Sequence, residues 1–365
     1  MILFSYDIFT AQAAGGISRC MIELMRALAS TTVDWQLWAG RHGNELLPAA
    51  LDDPGIATRI LTTGPRTAGS RLAGSLRNEP GFARAVRNLH PSVVHRTFYP
   101  MIDLLPRTGI VRVETLHDMW DERAASAGSR RSRLKSVIKH RALGRADVII
   151  CDTESTRREM IDIWPALEGR STVIHLGVRR LSASPETGTR DRPFFLFVGR
   201  RGSYKNFTVA VEALRAPALR DHDLVCFGGG PFDRDELALI SAAGLGGRVL
   251  QMGGSDDRLA GLYEAATALL YPSSYEGFGL PLLEAMIHDC PVIAAPLTSL
   301  PEVGGDAALY ADPDDPHAWG DIMATLAGDR VQADALRRLG RERAAQFSWA
   351  ETARKHAVLY ADIAR

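Results

Sequence analysis

Short apolar segments alternate with amphipathic helical patterns along most of the 365-residue chain. This alternation is typical of βαβ units, in which helices cover both faces of a parallel sheet. The strand candidates form two series, 2–6, 34–40, 92–97, 111–117 and 147–153 in the first, and 194–199, 223–229, 248–253, 268–272 and 291–296 in the second. A chain of this length exceeds one ordinary core, so the pattern predicts an α/β protein with two doubly wound domains of about 180 residues each.

A polar stretch, LSASPETGTRDRP (181–193), separates the two series and has no periodicity, which indicates a linker. We predict a first domain over 1–185, a second domain over 186–346, and a closing amphipathic helix within 347–365 that packs back on the first domain. Doubly wound sheets bind ligands outside the carboxyl ends of their strands. Functional residues are therefore expected at strand ends, which should face a shared cleft.

The N-terminus MILFSYDIF has no basic segment before its apolar residues, and no apolar run approaches the roughly 20 residues of a membrane-spanning helix. Both features favour a cytoplasmic protein. Cys20, Cys151, Cys226 and Cys290 lie singly in apolar segments without CxxC spacing, so we expect buried, reduced thiols and neither disulfides nor a zinc site.

The charge is distributed unevenly although the net charge is zero. Residues 1–185 contain 25 Lys and Arg against 18 Asp and Glu, and the remainder contain 18 against 25. Ordinary variation in surface charge or an anionic partner of the first half explains this equally well. The segment 130–141, RRSRLKSVIKHR, places Leu134, Val137 and Ile138 among six Lys and Arg. It predicts either a solvated helix or peripheral contact with the anionic inner surface of the cell membrane, and no motif indicates nucleic acid.

The segment SSYEGFGLPLLEAM (273–286) combines two carboxylates with a glycine-rich entry to a helix. Pro281 suits a first helical turn, which places Glu276 in the loop and Glu284 about one turn into the helix. The backbone amides of Gly277, Phe278, Gly279 and Leu280, together with the helix dipole, predict a site for an anion such as a diphosphate. Glu284 would then hold ribose hydroxyls and Glu276 a hydroxyl of the group attached to the other phosphate. The segment therefore indicates a nucleotide sugar.

A second strand end, FLFVGRRGSYKNF (195–207), carries Gly199 and then Arg200, Arg201 and Lys205. Cations at the mouth of a parallel sheet are suited to hold a diphosphate leaving group, or they are ordinary solvated charges. The glycines at 228–230 lack the spacing of a dinucleotide-binding loop, and the chain has no P-loop motif. Asp233 and Asp235 imitate a metal-binding D-x-D pair but occupy a helix start, which favours a capping role without a metal.

These motifs resemble the GT-B glycosyltransferases of family 4, retaining enzymes that use nucleotide sugars. Glu276 and Glu284 match the E-x7-E pattern, and GRRGSYKN matches the phosphate-clamp strand end. The family often has Pro-Arg where this chain has Ser203-Tyr204, which leaves the clamp arginine open between Arg200 and Arg201, with Arg201 favoured. Similarity extends over 223–232, 298–313 and 347–353. The resemblance implies a GT-B fold of two Rossmann-like domains.

The resemblance also implies roles in the first half of the chain. Gly15 and Gly16 match the family's glycine loop, which faces the donor diphosphate, and His117 matches a histidine beside the donor sugar. Ser155 resembles a serine that begins a helix at the site, or else it is an N-cap. The catalytic set implied is His117, Arg201, Lys205 and Glu276, acting by front-face substitution without a metal or other cofactor.

Donor identity is also taken from the resemblance. Segments near 204–207 and 227–232 resemble bacterial mannosyl- and deoxymannosyltransferases of lipopolysaccharide or exopolysaccharide assembly, which implies a GDP-sugar such as GDP-mannose. The acceptor implied is a saccharide, in particular a lipid-linked one. UDP-glucose or UDP-N-acetylglucosamine, an epimerase or phosphorylase of the same fold, and a non-catalytic nucleotide-sugar-binding subunit remain as alternatives.

Overall fold

A computed structural model of the chain describes residues 1–65, 71–106, 109–183 and 192–364. The chain divides into two compact units, one of Met1–Gly177 with Trp349–Arg365 and the other of Val178–Ser348. We call them unit 1 and unit 2. The predicted domain boundary between residues 185 and 186, and most of the predicted linker 181–193, lie outside the described residues. The division between the units comes earlier, after Gly177, and the C-terminal helix is grouped with unit 1.

Each unit contains one parallel sheet, of order β3-β2-β1-β4-β5-β6-β7 in unit 1 and β10-β9-β8-β11-β12-β13 in unit 2. The strands are β1 (Ile2–Phe4), β2 (Trp35–His42), β3 (Ile60–Pro65), β4 (Val93–Arg96), β5 (Val111–Leu116), β6 (Val148–Cys151), β7 (Ser171–Val173), β8 (Phe194–Val198), β9 (Asp223–Phe227), β10 (Val249–Met252), β11 (Ala268–Tyr271), β12 (Val292–Ala294) and β13 (Leu309–Tyr310). Nine of the ten predicted strand segments contain one of these strands, and the tenth, 34–40, overlaps β2, which extends to His42. The α/β class and the two doubly wound sheets are thereby confirmed.

Helices alternate with these strands along the chain. They are α1 (Asp7–Ala11), α2 (Gly16–Leu28), α3 (Leu47–Leu51), α4 (Arg71–Leu89), α5 (Trp120–Ser126), α6 (Arg130–Arg145), α7 (Glu154–Ile163), α8 (Phe207–Ala213), α9 (Arg234–Ala242), α10 (Asp256–Ala265), α11 (Leu280–Ile287), α12 (Leu300–Gly304), α13 (Pro316–Gly328), α14 (Arg330–Ala344) and α15 (Trp349–Ile363). Among the described helices, none combines the length and the apolar character needed to cross a bilayer.

The apolar strands form the core of each unit, because helices cover both faces of a parallel sheet and bury the strand side chains. In unit 1, Met21, Leu24 and Leu28 on one face of α2 are buried against the sheet, as the helical spacing predicts. In unit 2, Phe195 and Trp319 are fully buried in the corresponding core. All four cysteines are buried, as predicted, and none of them forms a disulfide.

Helix α15 is held on the sheet of unit 1 by a buried polar cluster. The Tyr360 hydroxyl lies 2.6 Å from His95 Nδ1, and the other ring nitrogen of His95 lies 2.8 Å from Thr115 Oγ1. One turn earlier, His356 stacks on the His95 ring with 6.2 Å between ring centroids. Burial lowers the pKa of His356 from 6.5 to about 4, and burial also lowers the pKa of His95 well below its usual value.

We expect unit 1 to lose stability as the pH falls from about 6.5 to about 4. The unfolded chain takes up a proton at His356 near pH 6.5, whereas the folded chain resists protonation until about pH 4. The unfolded state therefore binds more protons in this window, and one such group costs roughly 3 kcal/mol by its lower end. Urea unfolding at a series of pH values measures the effect. His356→Gln, which keeps a donor for the Thr352 carbonyl, should reduce the pH slope by about one proton, and an unchanged slope would contradict the assignment.

Candidate active site

The two strands at the centre of the unit 2 sheet define a crevice. Strands β8 and β11 are hydrogen-bonded neighbours, yet the chain continues from β8 to one side of the sheet and from β11 to the other. Such a topological switch point is where open α/β sheets bind ligands. The segments that follow these two strands are tied together, since the Ser274 amide donates to the Tyr204 carbonyl over 2.7 Å. The two motifs predicted from the sequence therefore meet at one place.

Lys205 and Glu276 form an ion pair in this crevice. The Lys205 ammonium lies 2.6 Å from Glu276 Oε1 and donates to the Tyr271 hydroxyl over 2.7 Å. The two side chains are only 15% and 12% exposed, so water screens the pair weakly. Burial, followed by the nearby Glu276 carboxylate, raises the pKa of Tyr271 well above its usual value, and Tyr271 stays a neutral hydroxyl.

The loop before α11 is fixed by residues from the loop that follows β12. Ser299 Oγ lies 2.9 Å from the carbonyl oxygens of both Glu276 and Phe278, which share its one proton, and Thr298 Oγ1 accepts the Glu276 amide over 3.0 Å. Gly279 precedes the helix with φ +99°, and a Cβ there would lie 2.7 Å from Leu300 Cδ2. Only glycine fits this position without strain. The predicted anion site at the helix start thus has a rigid backbone.

Glu284 lies on α11, about one turn beyond Leu280, as predicted. Its Oε2 accepts a hydrogen bond from the Tyr263 hydroxyl over 3.2 Å, and Tyr263 is buried on α10. The tyrosine therefore orients the carboxylate. The predicted contact of Glu284 with a ribose stays a prediction.

The preference for Arg201 over Arg200 as the phosphate clamp stays a prediction, but the contacts of the two side chains favour Arg200. The Arg201 guanidinium is buried, and it pairs with Glu236 at 3.0 Å and donates to the carbonyls of Gly228, Gly230 and Pro231 over 2.8 to 3.0 Å. It also lies 4.7 Å from the centroid of the Phe232 ring. With its donors used in this way, Arg201 anchors the glycine-rich loop after β9. Arg200 is exposed and makes no hydrogen bond or ion pair with the described part of the chain.

The three glycines of that loop explain why an arginine fits beneath it. Gly228, Gly229 and Gly230 all have positive φ, between +73° and +84°. A Cβ on Gly229 would lie 2.8 Å from Arg201 Nη1 and 3.0 Å from the Gly199 carbonyl oxygen. The glycine run therefore serves close packing against Arg201 and the end of β8.

Alanine variants of the two arginines are expected to fail in opposite ways. Arg201→Ala leaves the loop carbonyls without this donor and Glu236 without its ion-pair partner, which should lower the stability of unit 2 by about 3 kcal/mol. Arg200→Ala should leave the unfolding midpoint unchanged but lower turnover by about 10²-fold. Thermal unfolding and initial rates on the same preparations test both. Loss of stability in Arg200→Ala with unchanged rates would contradict the assignment.

In unit 1, Gly15 and Gly16 stand at the start of α2, as predicted. Gly15 has an extended backbone, with φ 176°, and a Cβ there would lie 2.5 Å from Gln12 Oε1. Gln12 Oε1 in turn accepts the Ser18 amide over 3.2 Å. Gly15 thus permits the close approach of Gln12, a contact that the sequence does not predict, and the space around Gly16 is open.

His117 directly follows β5 and pairs with Asp152, which directly follows β6. His117 Nδ1 lies 2.7 Å from Asp152 Oδ2, and both residues are buried. Asp152 was not predicted, although both residues occupy the first position after a buried strand segment. The N-cap of α7 is Thr153, whose side chain accepts from the Thr156 amide, so the interpretation of Ser155 as that N-cap is wrong. Ser155 lies in the first turn instead.

Asp233 is the N-cap of α9 and forms a capping box with Glu236, in agreement with the capping role predicted for it.

The predicted basic segment 130–141 lies in α6, where Leu134 and Val137 are 62% and 60% exposed. Lys139 departs from the predicted basic face because it is buried and paired with Glu122 at 2.7 Å. The other basic residues of the segment are exposed, namely Arg130, Arg131, Arg133, Lys135 and Arg141.

Comparison with known proteins agrees with this geometry. Residues 14–180 match the model of Glycosyltransferase Family 4, and residues 192–329 match that of Glycosyl transferases group 1. O-antigen chain mannosyltransferase B of Escherichia coli is 30% identical over 92% of this chain and 92% of its own length. D-inositol 3-phosphate glycosyltransferase of Thermobispora bispora is 28% identical over 96% of this chain and 90% of its own length.

A solved structure shows the same fold. HepE of Anabaena, in complex with UDP and glucose, superposes with a TM-score of 0.75 at 18% identity, covering 99% of both chains. Two parallel doubly wound sheets, together with this likeness, define a protein of the GT-B fold. The chain belongs to glycosyltransferase family 4, which confirms the resemblance drawn from its motifs.

Proposed function

We propose that the protein is a retaining hexosyltransferase that moves mannose or a deoxymannose from a GDP-sugar to a saccharide acceptor. The observation that carries the proposal is the Lys205–Glu276 pair at the β8/β11 switch point, beside the rigid glycine-lined start of α11. The mannosyltransferase name of the Escherichia coli relative supports the sugar. The acceptor we propose is a lipid-linked saccharide of lipopolysaccharide or exopolysaccharide synthesis.

In the proposed reaction the acceptor oxygen attacks the anomeric carbon from the face on which the diphosphate leaves. The bond from the anomeric carbon to the diphosphate oxygen breaks, the bond to the acceptor oxygen forms, and the acceptor proton moves to the departing diphosphate. Arg200, Lys205 and the amides of residues 277–280 stabilise the charge that develops on the leaving group. These cations supply the charge that a divalent metal provides in other transferases, so we propose metal-independent transfer.

The donor is tested by thermal unfolding with GDP, UDP, ADP and their sugars, followed by donor hydrolysis and transfer assays. Ligand at 100 times its Kd stabilises the folded state by about 2.7 kcal/mol. We expect the largest shift with GDP and GDP-mannose, and NMR of the product should show the anomeric configuration of the donor. A shift only with UDP compounds would replace the donor, and no shift with any nucleotide sugar would contradict the proposal. Transfer that persists unchanged in excess EDTA would support metal independence.

We further propose that α6 contacts an anionic membrane surface at the cytoplasmic face. Leu134 and Val137 are exposed beside the exposed basic residues Arg131, Arg133 and Arg141. Apolar side chains flanked by arginines are typical of helices that lie at a membrane interface. This position would bring the enzyme to a lipid-linked acceptor.

Vesicle sedimentation tests the membrane contact. The protein should sediment with vesicles containing phosphatidylglycerol and should remain free with phosphatidylcholine alone. Leu134→Glu combined with Val137→Glu should abolish sedimentation while transfer to a soluble acceptor persists. Val331→Glu, at a position that is 82% exposed in unit 2, is the matched control. Equal sedimentation of all three proteins would contradict the proposal.

A further inference from the structure

His117 and Asp152 are placed side by side by the register of the unit 1 sheet. Leu116 at the end of β5 pairs with Cys151 at the end of β6, and the Asp152 amide extends the ladder by donating to the Leu116 carbonyl over 3.3 Å. The next residue on each strand therefore lies at the carboxyl edge of the sheet, where doubly wound domains bind ligands. The 2.7 Å contact between His117 Nδ1 and Asp152 Oδ2 follows from this register.

The pair has polar atoms whose partners are missing from the described residues. His117 Nε2 and Asp152 Oδ1 are both buried without a hydrogen-bond partner there, and the two residues are 7% and 2% exposed. Nearby, His95 on β4 differs, because Tyr360 and Thr115 occupy both of its ring nitrogens. Buried polar atoms without partners destabilise a fold unless a ligand or water completes them. His95 thus has a structural role, whereas His117 presents a nitrogen for a ligand.

The carboxylate decides which nitrogen of His117 carries the proton. An ionised carboxylate only accepts hydrogen bonds, so the proton of a neutral imidazole resides on Nδ1, facing Asp152. Nε2 then carries a lone pair and must accept. A hydroxyl can donate to it, whereas a phosphate oxygen cannot.

We infer that Asp152 is a positioning residue that holds His117 in the Nδ1–H tautomer, so that Nε2 accepts a hydrogen bond from a sugar hydroxyl of the substrate. This inference rests on the proposed function, because it assigns His117 to the sugar and not to the diphosphate. The inference also explains why Asp152, whose carboxylate has its one polar contact among the described residues with His117, is buried at the carboxyl edge of the sheet.

Asp152→Asn tests the inference, because asparagine keeps the shape of the aspartate side chain but replaces an acceptor oxygen with a donor amide. The asparagine amide donates to Nδ1 and drives the ring to the Nε2–H tautomer, which offers a donor where an acceptor is needed. We expect kcat/KM for the nucleotide sugar to fall about 10- to 100-fold. The Kd for the nucleoside diphosphate alone, which lacks the sugar, should change less than twofold. Ring nitrogen NMR of His117 should show Nδ1–H in the wild type and Nε2–H in the variant.

Asp147→Asn is the matched control, because Asp147 stands at the opposite end of the same strand, where Oδ2 accepts the Arg112 amide over 2.8 Å. It should leave kcat/KM and the His117 spectrum unchanged. The inference is overturned by an Nε2–H tautomer in the wild type, by unchanged kcat/KM in Asp152→Asn, or by equal losses for the sugar nucleotide and the nucleoside diphosphate. The wild-type spectrum decides the tautomer even where the variant fails to fold. Absence of binding and transfer in the wild type with every donor would instead refute the proposed function.

Discussion

Lys205→Ala is expected to lower the rate of sugar transfer by about 10²- to 10³-fold while the fold persists. The ammonium stands at the β8/β11 switch point, 2.6 Å from Glu276 and 2.7 Å from the Tyr271 hydroxyl. A cation held there by a carboxylate and a tyrosine needs no rearrangement to meet a diphosphate, and such preorganised charge acts mainly on the transition state. Most of the loss should therefore appear in kcat. Initial rates at several donor concentrations separate kcat from KM.

Lys355→Ala is the control for Lys205→Ala. The Lys355 side chain is 42% exposed and reaches only Glu351, at 3.9 Å. It should transfer sugar at the wild-type rate. Transfer by Lys205→Ala within about threefold of this control would show that the leaving group is stabilised elsewhere.

Glu276→Gln tests the role of the carboxylate in the Lys205–Glu276 ion pair separately from the role of the ammonium. Loss of the carboxylate removes a negative charge that repels the diphosphate, so we expect the Kd for the nucleoside diphosphate to fall a few-fold. Turnover should fall at the same time, because the neutral amide oxygen is a weaker acceptor for a sugar hydroxyl than the carboxylate is. Calorimetry with the nucleoside diphosphate and transfer rates test the two effects. Weaker nucleoside diphosphate binding would contradict this account of the ion pair.

Periodicity sufficed for the strands that lie inside the two sheets. These strands have helices on both faces and read as continuous apolar runs. The edge strands β3, β7 and β13 were missed because their sequences are short or polar, as in STV for β7. Helix α4 was missed for a different reason, since Pro80 and two glycines weaken its helical signal although Phe82 and Val86 are buried.

The site could be predicted only as far as each motif determines its own local structure. Glu276, Gly279 and Glu284 were placed correctly relative to α11 because the loop and the helix start are contiguous in sequence. The burial of Arg201 was not foreseen because its contacts are with Gly228 to Glu236, about 30 residues away. Asp152 escaped notice because its partner lies on the neighbouring strand. Sheet register, which pairs the first residues after β5 and β6, was the signal that could have found it.

The basic helix α6 shows the same limit. Its composition correctly indicated a helix with exposed apolar residues, but composition does not tell which cations face inward. Lys139 donates to the Asp118 carbonyl over 2.8 Å and pairs with Glu122, so its charge is neutralised inside unit 1. Burial decides between a structural and a surface role, and burial depends on the helices that pack against α6.

Arg96→Ala is expected to lower the free energy of unfolding of unit 1 by about 3 to 5 kcal/mol. The Arg96 guanidinium, only 3% exposed, pairs with Glu79 at 2.7 Å, with Asp103 at 3.1 Å and with Asp7 at 3.2 Å. Its removal leaves Glu79 and Asp7 buried without their principal counter-charge. Burial raises the pKa of Asp7, and the positive charge of Arg96 opposes this rise. The buried carboxylate therefore depends on the arginine for its stability. Urea unfolding followed by tryptophan fluorescence measures the loss.

Arg354→Ala is the control that separates the effect of burial on an ion pair from the effect of the distance between its charges. Arg354 pairs with Glu351 at the same 2.7 Å, but the two side chains are 62% and 40% exposed. Water and salt screen such a pair, so this variant should unfold at the wild-type urea concentration. Adding 0.5 M NaCl should likewise leave the Arg96 effect almost unchanged, because mobile ions do not reach the buried network. Equal effects of the two substitutions, or a strong salt dependence of the Arg96 effect, would mean that the network is solvated and that it does not hold α1, β4 and α4 together.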